Sequence, residues 1–274
     1  MSEVLLILLL MGLSCGLLGS LLVLRNQSML ADALAHSVLL GIVLGFFVAR
    51  SLDSPILVLG ATLFGVLAVF AIESISSGNL THDAATGLVF TTFFALGVIL
   101  ISVFARNVHL DLDIVLMGEV LFTPLNRIDI LGMSLPVALA KSAGLLLVVL
   151  LFFGIFYNHL KLFLFDRNQA QLSRLSVKAL QIVIVFLVSL TVVIAFDIAG
   201  SITVISFLVA PAMAAQLWSR HFHSFLGFVG LFSSLMVIIG YVLGIHFDLS
   251  LSGICAVTGL GVYVLALLVR KLKV

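Results

Sequence analysis

Asp32 and His36 bring a carboxylate and an imidazole, four residues apart, into the apolar run of residues 29–48. Four helical residues advance about 6 Å and slightly more than one turn, so on a helix both side chains leave from one face. Oxygen and nitrogen donors one turn apart suit a divalent transition metal. Ionisable groups at membrane depth are costly unless paired, hydrated or coordinating, and they gather in bundle interiors and on transport pathways. The pair also fits a plainer role, with Asp32 hydrogen-bonded to a neighbouring helix and His36 an interior imidazole; residue chemistry alone leaves both open. Beside them Ala33, Ser37, Gly41 and Gly45 recur every fourth residue, a stripe that lets another helix come close.

The helix that must carry this pair belongs to a membrane. Of 274 residues, 63% are hydrophobic and 9% charged, against about 25% charged in ordinary soluble domains. Apolar runs predict spans near residues 4–24, 29–49, 56–72, 84–105, 130–156, 179–196, 202–218, 225–245 and 249–269. The first reads as a retained span rather than a removable signal. The expected fold is therefore all-α, a polytopic transmembrane helical bundle of about eight or nine segments in a single domain, residues 1–274.

Two stretches interrupt this pattern. Residues 106–129 mix Arg106, His109, Asp111, Asp113, Glu119, Arg127 and Asp129 with apolar side chains, and read as a partly re-entrant or surface-lying helical segment. Residues 157–178 form the longest soluble stretch, and Phe163, Phe165, Ala170 and Leu172 there suit a groove on a partner. Lys141, inside the fifth run, either snorkels or faces the interior. Lys and Arg bias gives the orientation. With residues 157–178 in the cytoplasm and spans alternating, nine cations fall inside (Arg25, Lys161, Arg167, Arg174, Lys178, Arg220, Arg270, Lys271, Lys273) and three outside (Arg50, Arg106, Arg127). The N-terminus is then outside and the C-terminus cytoplasmic. That leaves His109, Asp111, Asp113 and Glu119 on the outer face, an acidic cluster where a cation would arrive, or an ordinary solvated segment.

Several classes are excluded or disfavoured. A net charge of +1 argues against nucleic acid. Cys15 and Cys255 lie in separate apolar runs and give no disulfide framework. No G-x-x-x-x-G-K-[ST] phosphate loop is present, so any ATP drive comes from another subunit. The lack of H-E-x-x-H weakens a reading as an intramembrane zinc hydrolase. His221 and His223 read as part of a basic anchor, and His82, His159 and His246 as loop-edge imidazoles; Asp197 and Gly200 as turn formers.

The run Ala31-Asp-Ala-Leu-Ala-His-Ser-Val-Leu-Leu-Gly41 resembles the membrane permeases of bacterial ABC importers for manganese, zinc and iron, whose usual form is G-D-A-L-S-H-A-V-L-P-G. Three further stretches agree in order: Asp83-Ala-Ala-Thr-Gly-Leu-Val-Phe90 with Phe94–Ser102, Val108-His-Leu-Asp-Leu-Asp-Ile-Val-Leu-Met-Gly-Glu119, and Ala199–Ala215. Ala31, Leu40 and Arg174 depart from the usual glycine, proline and glycine.

The resemblance implies a bundle like the type II ABC importer permease, in the bacterial cytoplasmic (inner) membrane. It implies a transport subunit rather than an enzyme. The cargo would be a divalent transition metal, manganese foremost by the 108–119 stretch, with zinc or iron as options and no permanently bound cofactor. Asp32 and His36 would be the metal ligands. The segment around Phe165, Asp166 and Ala170 would be the coupling helix that docks on a separate ATPase. Other implied partners are an extracytoplasmic metal-binding protein, a second permease copy or sister permease, and membrane lipid. A metal-dependent intramembrane enzyme using Asp32 and His36 is the alternative.

Overall fold

The computed structural model describes residues 2–49, 55–76, 80–104, 120–130, 133–165 and 176–272. Nine of its helices are long and apolar enough to cross a membrane. In chain order they are α1 (Ser2–Leu24), α2 (Met29–Ala49), α3 (Pro55–Ser76), α4 (His82–Phe104), α5 (Val137–Phe165), α6 (Val177–Ala199), α7 (Ser201–Trp218), α8 (Phe222–His246) and α9 (Leu251–Leu272). Between α4 and α5 lie a 3₁₀ turn (Val120–Leu125) and an antiparallel hairpin of β1 (Arg127–Ile130) and β2 (Met133–Pro136).

Helix α1 is the most enclosed, packing on α5, α6, α7 and α8 and burying Ile7, Leu8, Met11, Leu18 and Leu21. Two groups flank it. Helices α2, α3 and α4 pack together on one side and α7, α8 and α9 on the other, with α6 touching both α1 and α3. Exposed leucines, isoleucines and valines on α3, α4, α5, α8 and α9 form an apolar exterior fit for lipid.

Contacts sort the helix ends onto two faces, as alternating spans require. On one, Arg127 of β1 pairs with Glu3 of α1 at 2.7 Å and Lys141 of α5 with Asp197 of α6 at 2.7 Å. On the other, Arg25 lies 4.8 Å over the Phe163 ring, Glu73 of α3 accepts a hydrogen bond from Gln181 of α6, and Trp218 Nε1 donates to Ala266 O at 3.2 Å.

The turn from α1 to α2 is tight for a backbone reason. Asn26 sits at φ 57°, Gln27 N–H donates to Leu22 O at 2.9 Å and Asn26 N–H to Val23 O at 3.0 Å. Asparagine tolerates this left-handed position, and the two bonds satisfy carbonyls that end a helix. Leu30 N–H then donates to Gln27 O at 3.0 Å, so α2 starts at once.

Three expectations are corrected. The fifth span begins at Val137, not residue 130, because Arg127-Ile-Asp-Ile130 alternates at the period of a strand and pairs with Met133–Pro136. Pro136 has no amide hydrogen to give a helix, and Val137 N–H donates to Asn126 O at 2.9 Å. The tail of residues 106–129 is correspondingly a 3₁₀ helix followed by strand rather than helix throughout; residues 105–119 lie outside the described residues. Finally, α5 continues to Phe165, through residues expected to be soluble loop. Leu160 and Phe163 are buried while Lys161 is exposed, so this end is an amphipathic helix whose apolar stripe still has a core to meet.

Candidate functional site

Asp32 occupies the first turn of α2, where the helix dipole favours a carboxylate. Its Oδ1 lies 3.5 Å from His36 Nε2, and the side chains retain 36% and 28% exposure respectively. Metal bonds of about 2.0–2.2 Å at tetrahedral angles put donor atoms roughly 3.3–3.6 Å apart, so the pair already stands at the separation of two ligands on one ion. His36 Nδ1 is buried and has no hydrogen-bond partner among the described residues.

Helix α4 walls this face. The His36 ring meets Phe90 at a centroid distance of 5.7 Å and Phe94 edge-on at 5.3 Å. The quadrupoles and bulk of the two rings hold the imidazole in place without supplying a polar partner. The small-residue stripe behaves as its composition predicts. A Cβ on Gly41 would collide with the Gly60 carbonyl and come within 2.7 Å of Ala61 Cα; one on Gly45 would stand 3.1 Å from Leu57 Cα. The backbones of α2 and α3 are therefore nearly in contact, which fixes the rotation of α2 and aims Asp32 and His36 away from α3.

Among the described residues no three His, Cys, Asp or Glu side chains converge as a metal cage. The described residues of one chain bring two donors together here, Asp32 and His36. His109, Asp111, Asp113 and Glu119 lie outside the described residues, as do Asp166 and Ala170. Phe165, the last residue of α5, is 61% exposed, with its edge against Phe222 at 6.0 Å. Phe163, expected to fill a partner's groove, is instead buried beneath Arg25 and is not available to one.

Sequence reading passes over several polar contacts that only the fold assembles. Lys141 and Asp197 are 56 positions apart yet paired, so Asp197 does more than shape a turn; Gly200, at φ 76°, makes that turn. His82 is the first residue of α4, and its Nε2 stands 3.4 Å from Gln27 Nε2. Glu73 and Gln181 join α3 to α6. The spacing His82, Thr86, Phe90, Phe94 was the available signal that His82 lies in one row of side chains with the rings at His36.

Comparison with known proteins fits this architecture. The chain matches the ABC 3 transport family over residues 1–270. It is 38% identical over 252 residues to the manganese transport system membrane protein MntD of Bacillus subtilis (strain 168), covering 91% of this chain and 85% of that protein. It is 38% identical over 255 residues to the zinc transport system membrane protein TroD of Treponema pallidum (strain Nichols), covering 93% and 70%. Among solved structures, PsaBC from Streptococcus pneumoniae in complex with Fab matches with a TM-score of 0.80 at 26% identity, over 97% of this chain and 90% of that one. With a family match nearly end to end and nine helices fit to span a membrane, the chain belongs to the ABC 3 transport family, as a multi-pass permease subunit and a transport component rather than an enzyme.

Proposed function

We propose that this permease carries a divalent transition metal ion into the cell, with Asp32 and His36 as its ligands in the membrane. The observation that carries the reading is the pair itself: two metal donors 3.5 Å apart on an otherwise apolar helix, partly open, with no third His, Cys, Asp or Glu converging on them among the described residues. Manganese is the first choice and zinc the second, since relatives of 38% identity are named for each; ferrous iron accepts the same nitrogen and oxygen donors. A second copy of the chain, or a sister permease, would bring a second pair to complete four donors, and the partial exposure of both residues leaves that side accessible.

The drive comes from a separate ATPase seated on residues 157–178, with Phe165 presented to it and Asp166 and Ala170 beside it in sequence. Metal arrives from an extracytoplasmic binding protein at the face that holds Glu3, Arg127 and Asp197, where His109, Asp111, Asp113 and Glu119 would meet it. The Lys and Arg distribution supports this orientation in the cytoplasmic membrane, with the C-terminus inside.

The test is Mn²⁺ and Zn²⁺ uptake by proteoliposomes holding the permease, its ATPase and its binding protein. Asp32→Asn keeps shape and removes charge. Uptake should fall at least about 100-fold, beyond the 10–100-fold typical of groups that merely support a ligand, with the protein still inserted and assembled. Uptake at the original rate would refute the ligand role.

A further inference from the structure

Helix α4 presents His82, Thr86, Phe90 and Phe94 at successive four-residue steps, a row that winds slowly about the helix with each member next to the one before it. The last two rings pack on His36. His82 lies on the same seam, eight residues before Phe90 and twelve before Phe94, or roughly 12–18 Å along the axis. At that end it meets Gln27, the residue held by the α1 cap and followed immediately by α2, whose first turn bears Asp32. Three separate elements thus bring an imidazole and an amide together beyond the Asp32 and His36 pair, toward the face where Arg25 and Glu73 lie.

The neighbours of the His82 ring favour Nε2 as the nitrogen that would meet a cation. The Thr86 hydroxyl donates its proton to His82 O at 2.7 Å. With its proton committed there, the same oxygen, 3.5 Å from His82 Nδ1, is positioned to accept, which favours the tautomer with the ring proton on Nδ1. Nε2 then carries the lone pair and accepts from Gln27 Nε2 at 3.4 Å. A metal-binding histidine has its far nitrogen pinned by a hydrogen bond in this way; here the near one, Nε2, is held by the Gln27 amide and is released when that amide turns. Turning the Gln27 amide about its last torsion replaces the donor with Oε1, so that two neutral donors face one point.

Resting on the metal-import reading above, we propose that His82 and Gln27 form a second cation station, taking the divalent metal after Asp32 and His36 and before release to the cytoplasm. The charge sequence favours passage in that direction. The first station offers a carboxylate and an imidazole; the second offers no net charge, holds a dication more weakly, and so lets it go. Conduction needs sites attractive enough to enter and weak enough to leave. The contrasting reading makes Gln27 to His82 a fastening between the α1–α2 turn and α4.

The assembled transporter in proteoliposomes separates the two, with Mn²⁺ as probe and His82→Leu and His82→Gln as variants. His82→Leu should lower Mn²⁺ uptake by at least about tenfold. His82→Gln, which can still bond Gln27, should be intermediate at unchanged thermal stability, because an amide oxygen is the poorer donor for a transition metal. In an Asp32→Ala/His36→Ala background, the electron spin echo of bound Mn²⁺ should show a nitrogen coupling that disappears on adding His82→Leu. Wild-type uptake by either variant, or an echo unchanged by His82→Leu, overturns the second station. Wild-type uptake by Asp32→Asn would instead overturn the reading on which it rests, so the two failures are distinguishable.

Discussion

Helix α2 has two seams, and they differ in what they leave over. Against α3 the contact closes by shape: Gly41 and Gly45 bring backbone to backbone, a methyl added at Gly41 has no room, and the Ser37 hydroxyl on the same stripe is sealed in. Against α4 the contact is made by rings and polar tips, and it leaves the His36 Nδ1 buried without a partner and the Asp32 carboxylate partly open. The first seam uses shape alone and can only hold. The second keeps unsatisfied donors and can therefore bind something that comes and goes. Close packing on one side is what makes the loose chemistry on the other reproducible in position.

Breaking the close seam should have the largest effect. Gly41→Leu drives a side chain into the Gly60 carbonyl and Ala61, and no folded, monodisperse protein should be recovered by size exclusion in detergent. Gly41→Ala should cost about 1–3 kcal/mol, the usual penalty of overpacking, read as lowered thermal stability. A Gly41→Leu protein of normal stability would show that the seam is not rigid. Next comes the open seam. His36→Phe keeps an aromatic ring against Phe90 and Phe94, so the protein should remain as stable as the wild type while metal uptake falls at least about 100-fold. Loss of stability in parallel with uptake would make His36 a packing residue. Smallest is Ser37→Ala. Ser37 is fully buried, its hydroxyl has no partner among the described residues, and it belongs to the stripe of Gly41. Removing an unpaired buried hydroxyl should be neutral or stabilising by up to about 1–3 kcal/mol, with uptake unchanged; a loss of uptake would place Ser37 on the cation path.

Much of this was legible in the residues because one helix carries it. The start of α2, the shared face of Asp32 and His36, and the stripe of Ala33, Ser37, Gly41 and Gly45 all follow from the helical repeat, and the structure places them as the repeat demands. What the residues hid falls into two kinds. Partners distant in sequence, such as Lys141 with Asp197, Glu73 with Gln181 and Gln27 with His82, have no local signature, because packing of whole helices decides which polar tips meet. The fifth span was hidden differently. Hydropathy reports where a chain can be dry, and helicity is another property: Ile130 and Met133–Pro136 lie in strands, while the polar residues of 157–165 remain helix. The alternation of Arg127-Ile-Asp-Ile130 and the buried positions Leu160 and Phe163 were the cues.

That longer helix has a mechanical consequence. With 29 residues, α5 is roughly 44 Å long at 1.5 Å per residue, against a hydrocarbon slab about 30 Å thick. A helix of this length either tilts or extends past the lipid tails by up to roughly 14 Å, between two and three turns, and Phe165 stands at its end. The helix is a lever whose last turns stay packed at Leu160 and Phe163, with Phe165 at the tip. A tilt of only about 5° at its far end would swing that tip by about 4 Å, so small rearrangements among packed helices near Lys141 and Asp197 and larger displacements at Phe165 can be two ends of one motion.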